Sequence, residues 1–328
     1  MKALKVLGII VLFLIALFFI VPYFLTDNIV VSHSEVINAK PATIFRQVNN
    51  FHNWSNWSPF EADQTMENTY EGPEQGVGAI RTWSGEEAGE GLMEIEKSEP
   101  YEYIQTKLVF GPDGGGGTGS WNFDETPEGT EVIWTVHIKD LSYPLNRWFG
   151  LVVEPGLEPM LVKGLDKLKE ITEAMPQPPE VKLIMTEAMP SLIIYDSTTM
   201  SGMGEMMGKN FGDLYEYVMR RKIPITGQQF AIYHNWNPKG ITRISTGIPV
   251  AENSRAYKNI EYYVLPAGNA IFAQHKGGYN TSVTHEAIDD YIKDFNLETK
   301  DYIWESYLYN PMTDTDSTQW VTFIYYPL

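Results

Sequence analysis

No cysteine occurs in the 328 residues. Its absence excludes disulfides, thiolate-bound zinc, a thiol nucleophile and an acylated lipoprotein cysteine, and it is compatible with an oxidising compartment. Positive charge is scarce: 24 Lys and Arg stand against 42 Asp and Glu, a net charge of -18. Such a surface repels polyanions, so no nucleic-acid partner is expected. It attracts cationic small molecules, although acidic surfaces also simply keep proteins soluble. The chain has no HExxH, no nucleophile elbow and no Ser-His-Asp order. Its glycine run "GPDGGGGTGS" lacks the Lys-Ser/Thr of a phosphate loop and reads as a flexible hairpin loop. His52 and His137 have no partner at metal-ligand spacing, so neither metal nor cofactor is expected.

Long apolar runs are missing too, except at the start. After Lys2 and Lys5 an uncharged stretch runs from Val6 to Thr26. At about 1.5 Å per residue it covers the ~30 Å hydrocarbon core of a bilayer. A cleaved signal has a shorter apolar region and a small-x-small cleavage site; "FIVPYFLTDN" offers none. The expectation is an uncleaved single-pass anchor, residues 1–27, in the cytoplasmic membrane. Lysines on the short side place that side in the cytoplasm and the remainder outside it, in the periplasm.

What is abundant is aromatic: 19 Tyr, 15 Phe and 9 Trp. Rings serve cores and ligand pockets alike. Residues 28–175 begin with a strand-like "NIVVSHSEVI" and a short helix in "KPATIFRQVNNF", then "FHNWSNWSPF". Alternating runs separated by turn signals follow, "GVGAIRTW", "GLMEIEKSEP", "YEYIQTKLVF", "TGSWNFDET" and "TEVIWTVHI". A closing helix, "EPMLVKGLDKLKEITEAM", carries Leu161, Leu165, Leu168 and Ile171 on one stripe. This order and the tryptophan segment resemble the SRPBCC superfamily, the START-like helix-grip domains that include polyketide cyclase/dehydrase-type members. The resemblance implies an apolar cavity between sheet and helix and a hydrophobic ligand; it carries no universal catalytic residues.

Pro176, Pro178 and Pro179 hold the chain extended, and residues 176–180 are expected to link two domains. Residues 181–328 then read twice as strand, helix, a strand ending in Asn-Pro, and strand. Aligning Pro238 with Pro311 sets Trp236 on Tyr309, His234 on Tyr307 and Ile232 on Glu305. Duplication predicts a pseudo-twofold β-α-β-β domain, and the whole chain is expected to be α+β. "AGNAIFAQHKGGY", "WESYLYNP" and "WVTFIYYPL" resemble the GyrI-like effector-binding domain of bacterial transcription activators. The resemblance implies that Glu305 lies in an aromatic cleft and pairs with cationic planar ligands. Some members of that family instead hydrolyse electrophiles in the same cleft. The DNA-binding segment that precedes the domain in the regulators is replaced here by the first domain and the anchor.

As a strand, "YIWESYLYNP" puts Ile303, Glu305, Tyr307 and Tyr309 on one face, with Trp304, Ser306 and Leu308 on the other. Three readings of Glu305 compete: a solvated strand residue, a structural hydrogen-bond partner, or a carboxylate awaiting a cation among rings. On the last reading Tyr307 and Tyr309 line the site, and Trp236, Trp304 and Tyr279 are further ligand-binding candidates. The functional expectation is a membrane-anchored protein that senses or sequesters a hydrophobic or cationic-aromatic small molecule. The alternatives are a hydrolase of electrophilic small molecules using Glu305, and a scaffold that docks a protein.

Overall fold

The computed structural model describes residues 2–111, 115–252, 254–308 and 316–328. Contacts divide the chain into two compact units, Met1–Gln177 and Pro178–Leu328.

The first unit opens with helix α1 (Lys2–Phe24), of which Leu4–Phe24 is long and apolar enough to cross a membrane. Strand β1 (Ile29–Ile37) and helix α2 (Pro41–Asn49) follow. Pro41 sits at the start of α2, where its missing N–H has no helical partner to lose. Strands β2 (Glu67–Glu71), β3 (Ile80–Gly85), β4 (Gly89–Glu99), β5 (Tyr103–Phe110), β6 (Gly115–Thr126) and β7 (Gly129–Lys139) complete the sheet. Among the described residues the order is β1-β7-β6-β5-β4-β3-β2, all neighbours antiparallel. Helix α3 (Leu145–Ala174) lies across it, burying Leu161, Leu165 and Leu168 completely.

Four tryptophans fill the space under α3. Trp54, Trp57, Trp121 and Trp134 are each at most 3% exposed, and Trp121 stacks on Trp134 at 5.5 Å. The spacing in "FHNWSNWSPF" has a local purpose: the indole N–H groups of Trp54 and Trp57 donate to the carbonyls of Val48 and Gln47, two of the last acceptors of α2. Gly164 lets α3 approach, since a Cβ there would stand 2.6 Å from the Trp134 ring and 2.9 Å from Pro59. A pocket of about 360 Å³ opens at the margin of this core, its lining including the core residues Phe51 and Ala79 together with His52, Tyr70, Glu71 and Glu74.

Two readings change. The glycine run is only partly a loop: Gly115–Gly117 belong to β6 and pair with β5 and β7, a close approach that Gly117 permits because a Cβ would meet the His137 carbonyl at 2.0 Å. Helix α3 starts at Leu145, thirteen residues before the periodic stretch, and carries Pro155 and Pro159 inside it.

The second unit contains β8 (Val181–Thr186), β9 (Met189–Thr198), α4 (Met203–Arg221), β10 (Phe230–Asn235), β11 (Thr242–Pro249), β12 (Glu261–Leu265), β13 (Gly268–Lys276), α5 (Ser282–Phe295), β14 (Ile303–Tyr307) and β15 (Val321–Pro327). The strands form one antiparallel sheet in the order β12-β9-β11-β10-β14-β15-β13-β8. The order is itself near-symmetric: β10 and β14, the matching strands of the two halves, pair at the centre. Helix α4 packs on β9 and β11, α5 on β13 and β8. Both helices cover the same face, because α4 meets Tyr233 and Tyr307 while α5 meets Ile324, the cross-strand neighbour of Glu305.

Candidate functional site

Glu305 stands near the middle of that sheet, opposite Ala231 of β10 and Ile324 of β15, at the seam between α4 and α5. It is 7% exposed, which removes the solvated reading. A carboxylate at such burial needs partners, and the chain supplies three. Tyr307, two residues along the same strand face, donates to Oε2 at 2.9 Å. Tyr233 of β10 lies 3.2 Å from the same oxygen and 3.0 Å from the Tyr307 hydroxyl. With one proton each, the two hydroxyls satisfy two of these three contacts at a time. The third partner, His285 in the first turn of α5, places Nε2 3.2 Å from Oε1.

The tautomer of His285 follows from its neighbours. Nε2 faces an acceptor and therefore carries the proton, leaving Nδ1 to accept from Tyr326 at 2.9 Å. Tyr326 stays protonated: burial first, then the charges of Asp289 and Glu305, push its hydroxyl well above the ordinary value. Tyr307 is raised by the same means, burial before Glu305 and Tyr233. Asp289, one turn beyond His285, is pushed up by burial, and His285 opposes that rise. Tyr326, His285, Glu305, Tyr307 and Tyr233 thus form one continuous polar chain with a single full carboxylate in the middle. Among the described residues, His285 is the one basic side chain beside Glu305, and in this tautomer it contributes a hydrogen bond rather than a charge. On the α4 side the wall is apolar and soft: Met203, Met206, Met207 and Phe211 pack against Tyr233 and Tyr307, the Phe211 ring edge-on to Tyr307 at 6.3 Å.

Such a seam, with a buried acid, tyrosine hydroxyls and methionines, can recognise a ligand that brings positive charge and apolar area. Residues 179–328 match the family model of the GyrI-like small molecule binding domain. Residues 28–173 match that of polyketide cyclase / dehydrase and lipid transport. The chain therefore joins one domain of each family behind an apolar N-terminal helix. Among solved structures, it is similar to a complex of EcmrR with DNA at 18% identity, over 56% of this chain and 69% of that one, TM-score 0.44. It is similar to the EcmrR C-terminal domain at 19% identity, over 45% and 96%, TM-score 0.40. It is similar to protein CV1439 from Chromobacterium violaceum at 12% identity, over 44% and 99%, TM-score 0.35. No curated protein matches the sequence.

Within the GyrI-like unit the residues singled out from sequence separate. Glu305 and Tyr307 touch. Trp236 is close, edge-on to Tyr233 at 5.9 Å, but 57% exposed. Tyr279 is 69% exposed and packs on Trp320 at 4.9 Å. Trp304 does not join Glu305: strand alternation turns it to the opposite face, where it stacks on Tyr325 at 3.6 Å. Tyr309 lies outside the described residues. Tyr233, His285, Tyr326 and the α4 methionines were not singled out. Tyr233 escaped through the repeat alignment. A bulge between Tyr233 and Asn235 shifts the register of β10, so counting back from Pro238 runs one residue out of phase, and a slip of one turns every side chain to the other face. Tyr233, not His234, shares the face of Tyr307.

Proposed function

We propose that this is a membrane-anchored receptor or sequestering protein for cationic, planar or hydrophobic small molecules, which enter the GyrI-like unit at the seam between α4 and α5. One observation carries the reading: a buried carboxylate whose partners are two neutral hydroxyls and one histidine, with no arginine or lysine on it among the described residues. A cation brought beside it gains charge attraction in a poorly screened setting. Flanking rings add about 0.5–2 kcal/mol each, and the thioethers reshape to fit different ligands. Helix α1 is the anchor in this reading, with both units on the periplasmic side. The net charge of -18 supports a small-molecule partner rather than nucleic acid.

Titration with ethidium, a planar cation, tests it. Glu305→Gln keeps the side-chain shape and removes the charge; its amide oxygen still accepts at one end, while its NH2 donates at the other. Affinity should fall on the order of tenfold or more, the range of a desolvated charge pair, with the circular dichroism spectrum unchanged. Equal affinities for the two proteins would sink the idea.

A second reading, hydrolysis of an electrophilic small molecule, is favoured by the same polar chain: Glu305 holds His285 in one tautomer while Tyr326 occupies its other nitrogen. Turnover of a reactive ester, lost in both Glu305→Gln and His285→Asn, distinguishes it from binding alone.

A further inference from the structure

The start of α3 fastens onto the last turns of α1 through side chains chosen for that place. Pro22 has no N–H, so the carbonyl of Phe18 lacks its helical donor. The Trp148 indole supplies one at 3.0 Å. Tyr143 donates to the Phe19 carbonyl, and Arg147 donates to those of Pro22 and Leu25 at 3.2 and 3.3 Å while pairing with Asp27 at 3.5 Å. The C-terminal end of α1 is thereby capped by a cation and two amphipathic rings.

This contact fixes a depth. Leu4–Phe24 is 21 residues, about 31 Å of helix, which a ~30 Å hydrocarbon core uses in full. Phe18, the partner of Trp148, lies about 9 Å of helix before Phe24. Counted back from a boundary at Phe24, Trp148 and Tyr143 meet α1 about 8–9 Å below it, a depth that interfacial amphipathic segments reach, with their N–H and O–H groups satisfied by α1 carbonyls. Beside them Leu145, Phe149, Leu151 and Val152 are 50–72% exposed. The chain from Leu141 to Val153 contains no Asp or Glu, although residues 26–179 carry 25 acids against 10 bases. An apolar, acid-free face on a strongly acidic unit is suited to lipid rather than to water.

We propose that the first two turns of α3 lie in the membrane interface beside α1, making a second, non-spanning contact with the same bilayer. Phe149 and Val152 enter the acyl boundary, Tyr143 and Trp148 lie in its outer layer with their polar groups on α1 carbonyls, and Arg147, which holds the end of α1, lies nearest the headgroups. The inference rests on α1 crossing the membrane, and one set of labels separates the two claims.

The native chain has no cysteine, so single cysteines can be introduced into the full-length protein without other changes. Leu12→Cys, Phe149→Cys, Val152→Cys and Val77→Cys, all at exposed positions, are each labelled with an environment-sensitive fluorophore. The proteins are reconstituted in phosphatidylcholine/phosphatidylglycerol vesicles containing nitroxide lipids. Labels at 149 and 152 should show blue-shifted emission and lose it to the nitroxides, as the label at 12 does, while the label at 77 stays in water. If 12 is quenched but 149 and 152 behave like 77, the interfacial contact is wrong and the anchor stands. If 12 also behaves like 77, the anchor is wrong and the contact falls with it.

Discussion

Glu305 and Asp63 show two ways in which a carboxylate is held. Glu305 is buried against hydroxyls and an imidazole, with no arginine or lysine on it among the described residues. Asp63 is at the surface and is saturated: it accepts from the Thr65 hydroxyl and from the backbone N–H groups of Thr65, Glu87 and Ala88. These bonds, the Thr65 hydroxyl first, hold its pKa well below the ordinary 3.8. A depressed folded-state pKa contributes stability that is fully present above the unfolded value and is lost as pH falls toward the folded one. Asp63→Asn should therefore lower the melting temperature at neutral pH. The gap from the parent should narrow as pH drops below about 4, as differential scanning fluorimetry across pH would read. A gap independent of pH would mean that the charge on Asp63 contributes nothing.

At the scale of elements, the close seat of α3 on the first sheet depends on Gly164. A methyl there would meet Trp134 and Pro59 below 3.0 Å, and the tryptophan has no room to yield because Trp57 and Trp121 pack against it. Gly164→Ala gains about 1 kcal/mol in helix propensity and loses about 1–3 kcal/mol to overpacking. The net expectation is a lower melting temperature, whereas Gly156→Ala, open on all sides, should raise it. Equal shifts at the two sites would show that α3 does not press on the tryptophans. The elements legible in the sequence were those with one buried face. Strands β2, β8 and β12 were missed together, and each is at a sheet edge. Edge strands are short and largely exposed, so they carry little of the alternation that marks a strand. The early start of α3 left no signal ahead of Glu158: Pro155 and Pro159 disfavour a helix interior, yet both are carried within a helix held by α1 and the sheet.

At the scale of the whole molecule, the two compact units each carry their own core and sheet. Among the described residues, the partners of Glu305 come from the second unit. Residues 178–328 expressed alone should therefore bind ethidium with the affinity of the full chain, measured by fluorescence anisotropy. A folded fragment that fails to bind would place part of the recognition outside the GyrI-like unit and refute the seam as a self-sufficient site.

The sequence by itself determined the apolar helix, the succession of two α+β regions and the shared face of Glu305 and Tyr307. These are consequences of run length and of a period of two along one strand, which local order alone records. Only the tertiary structure decided which residues surround the carboxylate. His285 arrives from a helix, Tyr326 from the next strand, and Tyr233 from the other half of the repeat beyond a bulge. Those meetings depend on sheet order and register, which bring together residues up to 74 positions apart and leave no periodic trace in the chain.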